Sequence, residues 1–452
     1  MSRNASPSPA HGASSPDVPV WAPFVWAAIG LALALGFGLG ALLFAAPFLG
    51  WPLGRWWQAS AQVHAHEFLF GWAGLMVLGV GFHFLPRLRG RALADPRRAR
   101  PVLWLLLGGL LLRAASQPAL NLGAASGLGS WARPGLILSA ALELLGASLA
   151  LALLARTLGG DPPLRSRPRL GEILPFLAMS FVSLWLALAL NLTAIMLAPD
   201  DGVLTGPAYR ISLLLALYGF LIPVSVGVGA RLFPLHFAAP MPATRVLQVG
   251  LALLLIGLAL RAGGDLTESP VATAVGLMAM ACACGCFIVG SRVFAGRRAV
   301  PGGRDPWYAD AAQWHALLAF ACLGVAAILL AAAALPALAP SLIIVPLTAE
   351  WHIVGVGFVT LLIFGEATKL LPGFAGRPLR SEALVWTTLV LVAVAVVLRV
   401  GPVVAPAAFP DLVGRVALVG SGLAGLVAII ALGLNLSGGP EKQADGTVRK
   451  RR

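Results

Sequence analysis

HEFLFGWAGLMVLGVGFHFLP occupies residues 66–86, and two further stretches align with it without a gap: LLALYGFLIPVSVGVGARLFP at 214–234 and HIVGVGFVTLLIFGEATKLLP at 352–372. Each closes on a proline: Pro86, Pro234 or Pro372. Fifteen residues earlier stand Gly71, Gly219 and Gly357, and seven earlier Gly79, Gly227 and Gly365. Twenty-seven residues after the prolines come Arg113, Arg261 and Arg399. The first slot of each stretch holds His66, Leu214 and His352. The chain is therefore a threefold repeat that keeps glycine, proline and arginine three times and histidine twice.

Working outward, the whole chain shares the apolar character of these stretches. Of 452 residues, 59% are hydrophobic and 11% charged, with a mean hydropathy of +0.88. Such runs read as membrane spans, and their unbroken apolarity excludes a β-barrel, which alternates. Twelve candidate helices fall at 20–48, 62–86, 101–122, 131–157, 171–198, 209–235, 242–263, 269–295, 310–338, 347–372, 382–405 and 411–437. The first is a retained helix, since no small-residue cleavage site follows it. The repeat divides the body, 20–437, into three pseudo-symmetric four-helix units: 20–157, 171–295 and 310–437. Helices 2, 6 and 10 then lie innermost. Residues 1–19 (rich in Ser, Pro and Ala) and 438–452 (basic) are expected to be disordered tails.

The formal charge of +14 is a matter of topology rather than a nucleic-acid signal. Arg87, Arg89, Arg91, Arg97, Arg98 and Arg100 follow helix 2, and Arg165, Arg167 and Arg169 follow helix 4. Arg297, Arg298 and Arg304 follow helix 8, Arg377 and Arg380 follow helix 10, and the tail carries Lys442, Arg449, Lys450, Arg451 and Arg452. Asp200, Asp201, Asp265 and Glu268 occupy the opposite loops. The positive-inside rule then puts both termini in the cytoplasm of a multi-pass inner-membrane protein. Cys282, Cys284, Cys286 and Cys322 lie inside apolar helices and form no disulfide framework.

His66 and His352 begin helices 2 and 10, near the end opposite the basic loops. Twenty helical residues span about 30 Å, so both lie toward the outer face. Neutral imidazoles there can ligate iron or copper, and two of them can hold a low-spin haem between helices. The bland alternative is an interfacial histidine reaching water. His64 stands about 200° around the helix from His66, so it faces a different ligand: a second metal, a propionate or water. Glu67 could orient a ligand or relay a proton. Arg113, Arg261 and Arg399 are candidate partners for haem propionates, since guanidinium pairs a carboxylate through two bonds; the alternative is headgroup anchoring. At the basic ends His83, Arg231 and Lys369 share one slot and would ring the axis; the safer alternative is plain charge pairing and snorkelling, with Glu366 one turn from Lys369 and able to pair with it. His236 and His315 have no partner that spacing reveals.

This arrangement resembles subunit I of haem–copper oxidases and nitric oxide reductases. The local motifs are more similar to the NnrS family. His64-Ala65-His66-Glu67-Phe68-Leu69-Phe70-Gly71 resembles its H-x-H-E-x-x-x-G segment, and Arg231-Leu232-Phe233-Pro234 its helix 6 ending. Thr368-Lys369-Leu370-Leu371-Pro372-Gly373-Phe374-Ala375-Gly376-Arg377-Pro378-Leu379 resembles its helix 10 ending, with Lys369 where the family has arginine and Phe374 where it has histidine. The resemblance implies a haem-b-binding membrane protein linked to the nitric oxide response; copper, which the histidines could also ligate, is a second candidate cofactor. It implies membrane lipid, haem, and nitric oxide or an electron donor as partners. The copper-binding histidines of the oxidases are missing: helix 6 has no internal histidine, the adjacent pair on helix 7 is absent, and Glu350 stands where another haem ligand is expected. An oxidase or reductase activity is accordingly not expected. A transporter is the competing reading, weakened because four-helix units give parallel rather than inverted repeats.

Overall fold

A computed structural model describes residues 19–121, 129–159, 168–298, 309–337 and 347–438. The two expected tails lie outside the described residues, apart from their innermost positions. Among the described residues the chain is all-helical, with twelve helices long and apolar enough to cross a membrane. These are α1 (Trp21–Ala45), α2 (Arg55–Arg89), α3 (Pro96–Ala119), α4 (Ser130–Leu158), α5 (Leu170–Met196), α6 (Pro207–His236), α7 (Thr244–Thr267), α8 (Pro270–Ser291), α9 (Ala311–Ala334), α10 (Thr348–Ala375), α11 (Glu382–Val404) and α12 (Asp411–Leu436). Continuous apolarity gives each helix a lipid-compatible surface, and intrahelical bonding satisfies its backbone where water is missing.

Burial separates inner from outer helices. In α2, α6 and α10, 72%, 83% and 72% of the most apolar stretch is buried, against 33–50% in the other nine. The three repeat-bearing helices are therefore the core, and they touch one another. Around them α3 packs on α4, α7 on α8 and α11 on α12; α4 also meets α5, α8 meets α9, and α12 meets α1.

The repeat glycines explain how tightly the core helices are gripped. A Cβ on Gly79 would sit 2.5 Å from the Phe24 Cβ of α1, and one on Gly227 would sit 2.6 Å from the Phe176 Cβ of α5. On Gly365 it would meet the Ala312 carbonyl and the His315 Cβ of α9, both at 2.9 Å. Only a hydrogen side chain allows these approaches. Gly79→Ala should therefore destabilise the fold by about 1–3 kcal/mol, as overpacking does. A lower melting temperature in detergent checks this, and an unchanged one contradicts the packing.

Two further features recur in register. The prolines lie inside the helices, about one turn from their ends, rather than terminating them as the sequence suggests. A proline there forgoes only one bond, close to carbonyls that the helix end leaves unpaired in any case. Four residues beyond each proline the backbone turns left-handed, at Gly90 (φ 74°), Ala238 (φ 51°) and Gly376 (φ 61°). Each core helix also widens into a π-helical stretch starting one residue after the repeat slot: Glu67–Gly74, Leu215–Leu221 and Ile353–Thr360. The extra residue per turn rotates the helix before the stretch against the helix after it, a device common at functional sites. Trp72 Nε1 donates to Thr360 Oγ1 (3.1 Å), tying the π stretches of α2 and α10 together.

Candidate functional site

Beside the π stretches of α2 and α10 the packing leaves a partly open cleft. Phe37, Gly40 and Phe44 of α1, Phe68 of α2 and Gly355 of α10 supply its apolar walls, and Ser421 and Gly422 of α12 complete one side. The polar groups reaching it include His64, His352 and Arg399.

The two imidazoles form a matched pair. Their ring centroids are 6.4 Å apart and their planes differ by 17°. His64 Nδ1–H donates to the Gly36 carbonyl of α1 (2.8 Å), and His352 Nδ1–H donates to the Thr348 carbonyl one turn back (2.6 Å). Backbone carbonyls only accept, so both rings carry their proton on Nδ1, and each Nε2 keeps its lone pair. A metal-ligating histidine is held in this way, its other nitrogen donating to a carbonyl. Gly40 makes room for the arrangement: a Cβ there would sit 2.9 Å from His64 Cε1.

Arg399 lies over the Phe44 ring at 4.4 Å, and its Nε is buried without a partner. Among the described residues no carboxylate pairs with it. The other two repeat arginines differ. Arg113 Nη1 donates to Asn191 Oδ1 (2.9 Å), and Arg261 Nη1 donates to Glu350 Oε1 (2.9 Å). Neither lines the cleft, contrary to the sequence expectation: Arg261 is paired with Glu350, while Arg113 is buried elsewhere with its Nε and Nη2 unpartnered.

The structure also corrects the expected histidine pairing. His66 does not meet His352; its Nε2 lies 2.5 Å from Glu143 Oε2 of α4, and both groups are buried. The histidine that reaches His352 is His64. Slots that match along the sequence point the same way around their own helices. His64, about 200° around from His66, turns back toward α10. Glu350, two residues before His352, likewise turns to the other side and meets Arg261.

The basic ends hold another surprise. His83, Arg231 and Lys369 do not form a common ring of charge: Lys369 reaches Asp310 (3.0 Å), and His83 packs on Phe374 with ring centroids 4.0 Å apart. Glu366 pairs with His236 of α6 (2.7 Å) instead of Lys369. His315 Nδ1–H donates to the Ala311 carbonyl (2.8 Å), and Nε2 lies 3.2 Å from Thr388 Oγ1, a satisfied core position. All four cysteines are free. No three His, Cys, Asp or Glu side chains converge as a metal site among the described residues. Comparison with protein-family models and with curated proteins finds no match for this chain.

Proposed function

We propose that this is a haem-b-binding protein of the NnrS type, lying in the bacterial inner membrane with both termini cytoplasmic and serving the response to nitric oxide. The observation that carries the reading is the cleft with two open imidazole nitrogens and an arginine lacking a carboxylate. A haem would bring an iron for the first and propionates for the second. The flat apolar walls suit a macrocycle. His64 and His352 would hold the metal, and Arg399 would receive a propionate.

Bound haem would supply a one-electron couple, with His64 and His352 as the residues that would hold its iron. The chain's own residues would then orient the group, keep water from its apolar edge and neutralise its carboxylate. That favours passing electrons over turning over a substrate. The recurring glycine contacts, the left-handed residues beyond the prolines and the aligned π stretches support three pseudo-symmetric four-helix units, arranged as in oxidase subunit I. The arginine-rich loops support that orientation, and with it a cleft toward the outer face.

The test is an optical spectrum of the detergent-purified protein, reconstituted with haem and reduced with dithionite. Sharp α and β bands are expected, and a folded preparation without them would reject the reading. Arg399→Leu should retain the bands while weakening haem binding about tenfold or more, the loss of one charge-assisted contact. Haem titration measures this, and an unchanged affinity would remove Arg399 from the site.

A further inference from the structure

A second pocket, partly open, lies among α2, α5, α6 and α10, toward the proline ends of the core helices. Its walls are almost wholly apolar, with Phe84 and Phe181 offering aromatic faces. Two polar side chains interrupt them, and neither is satisfied on that side. Glu366 of α10 has one carboxylate oxygen bonded to His236 and the other, Oε1, buried with no partner. Ser225 of α6, half-buried at the wall, makes no hydrogen bond among the described residues, so the buried cost falls on Glu366. Most hydroxyls in these helices fold back onto a carbonyl, as Ser116, Ser148 and Ser180 do. An unsatisfied buried group is costly, more so where water is scarce. An occupant that answers both groups would remove that cost.

We propose that this cavity binds the ring of a membrane quinone or quinol. The occupant needs an apolar body, a flat face to lie against phenylalanine, and two hydrogen-bonding oxygens reaching different helices. A quinone-class ring has all three. An acyl chain answers neither polar group, and an anionic headgroup would be repelled by Glu366. Ser225 can donate or accept, so it serves both redox forms. His236 fixes Glu366 from behind, which leaves Oε1 for the ligand. The site stands apart from the haem reading: Ile363 on its wall lies eleven residues along α10 from His352, roughly 16 Å of helix.

Calorimetric titration of the purified full-length protein with decylubiquinone tests the proposal. One ring per chain is expected, in competition with a naphthoquinone and not with palmitate. Glu366→Leu and Ser225→Ala should each weaken binding about tenfold, the loss of one hydrogen bond. Val228→Trp should abolish it by filling the cavity, and Val80→Trp, on another wall, should do the same. His64→Ala should leave it unchanged, so a failed haem reading and a failed quinone site give different results. Three outcomes overturn the proposal: no binding by the unsubstituted protein, undiminished binding after Val228→Trp or Val80→Trp, or affinity indifferent to both polar substitutions.

Discussion

His64→Ala is expected to abolish the reduced α and β haem bands, and His352→Ala to do the same, whereas His66→Ala keeps them. The first two changes each remove one of the paired imidazoles, whose Nδ1 protons are committed to Gly36 and Thr348. A single remaining histidine would leave the iron with one protein ligand, ending the low-spin signature. Loss of a ligand should also lower haem affinity by at least a hundredfold, judged against the 10–100-fold that even supporting residues contribute. His66→Ala acts elsewhere. It strips the imidazole from Glu143, a carboxylate fully buried in α4, so its effect should fall on folding. Spectra of the three variants, each loaded with haem at equal protein concentration, decide the matter. Bands lost in His66→Ala and kept in His64→Ala would restore the pairing that the repeat alone suggests.

Glu350→Leu should lower stability by about 3–5 kcal/mol, because it strands the Arg261 guanidinium in a site without another carboxylate bonded to it. Both partners are nearly inaccessible, with side-chain exposures of 9% and 2%. In such surroundings the cost of an unpaired charge exceeds the worth of the pair. Arg261→Met combined with Glu350→Leu should therefore recover most of the loss, since the two apolar side chains leave no charge behind. Thermal unfolding in detergent, measured on single and double variants, gives the coupling. Equal melting temperatures for Glu350→Leu and the double variant would show that the ion pair is not what the single change disturbs.

Much of the fold was legible in the sequence. Twelve spans are expected from runs of apolar residues, because backbone groups in a bilayer must be bonded within a helix. The inner position of α2, α6 and α10 is expected from glycines kept at Gly79, Gly227 and Gly365, since lipid-facing helices have no need of small residues at a fixed register. Helix ends were less legible. The polar turn Arg55–Gln58 extends α2 outward, where an apolar count stops short, and the prolines are absorbed rather than obeyed.

The sequence by itself determined a helical membrane protein, a repeat with broken symmetry, and a short set of residues able to carry chemistry: His64, His66, His352, Arg113, Arg261 and Arg399. Only the tertiary structure decided which of them meet. Helical periodicity tells which residues share a face, but not which neighbouring helix that face addresses. So His66 turned to Glu143 and Arg261 to Glu350, both satisfied within the protein, while His64, His352 and Arg399 were left together with nitrogen atoms that no protein group claims. Chain order could not reveal that cleft, because α1, α2, α10, α11 and α12 come from opposite ends of the sequence and meet only when α12 closes against α1.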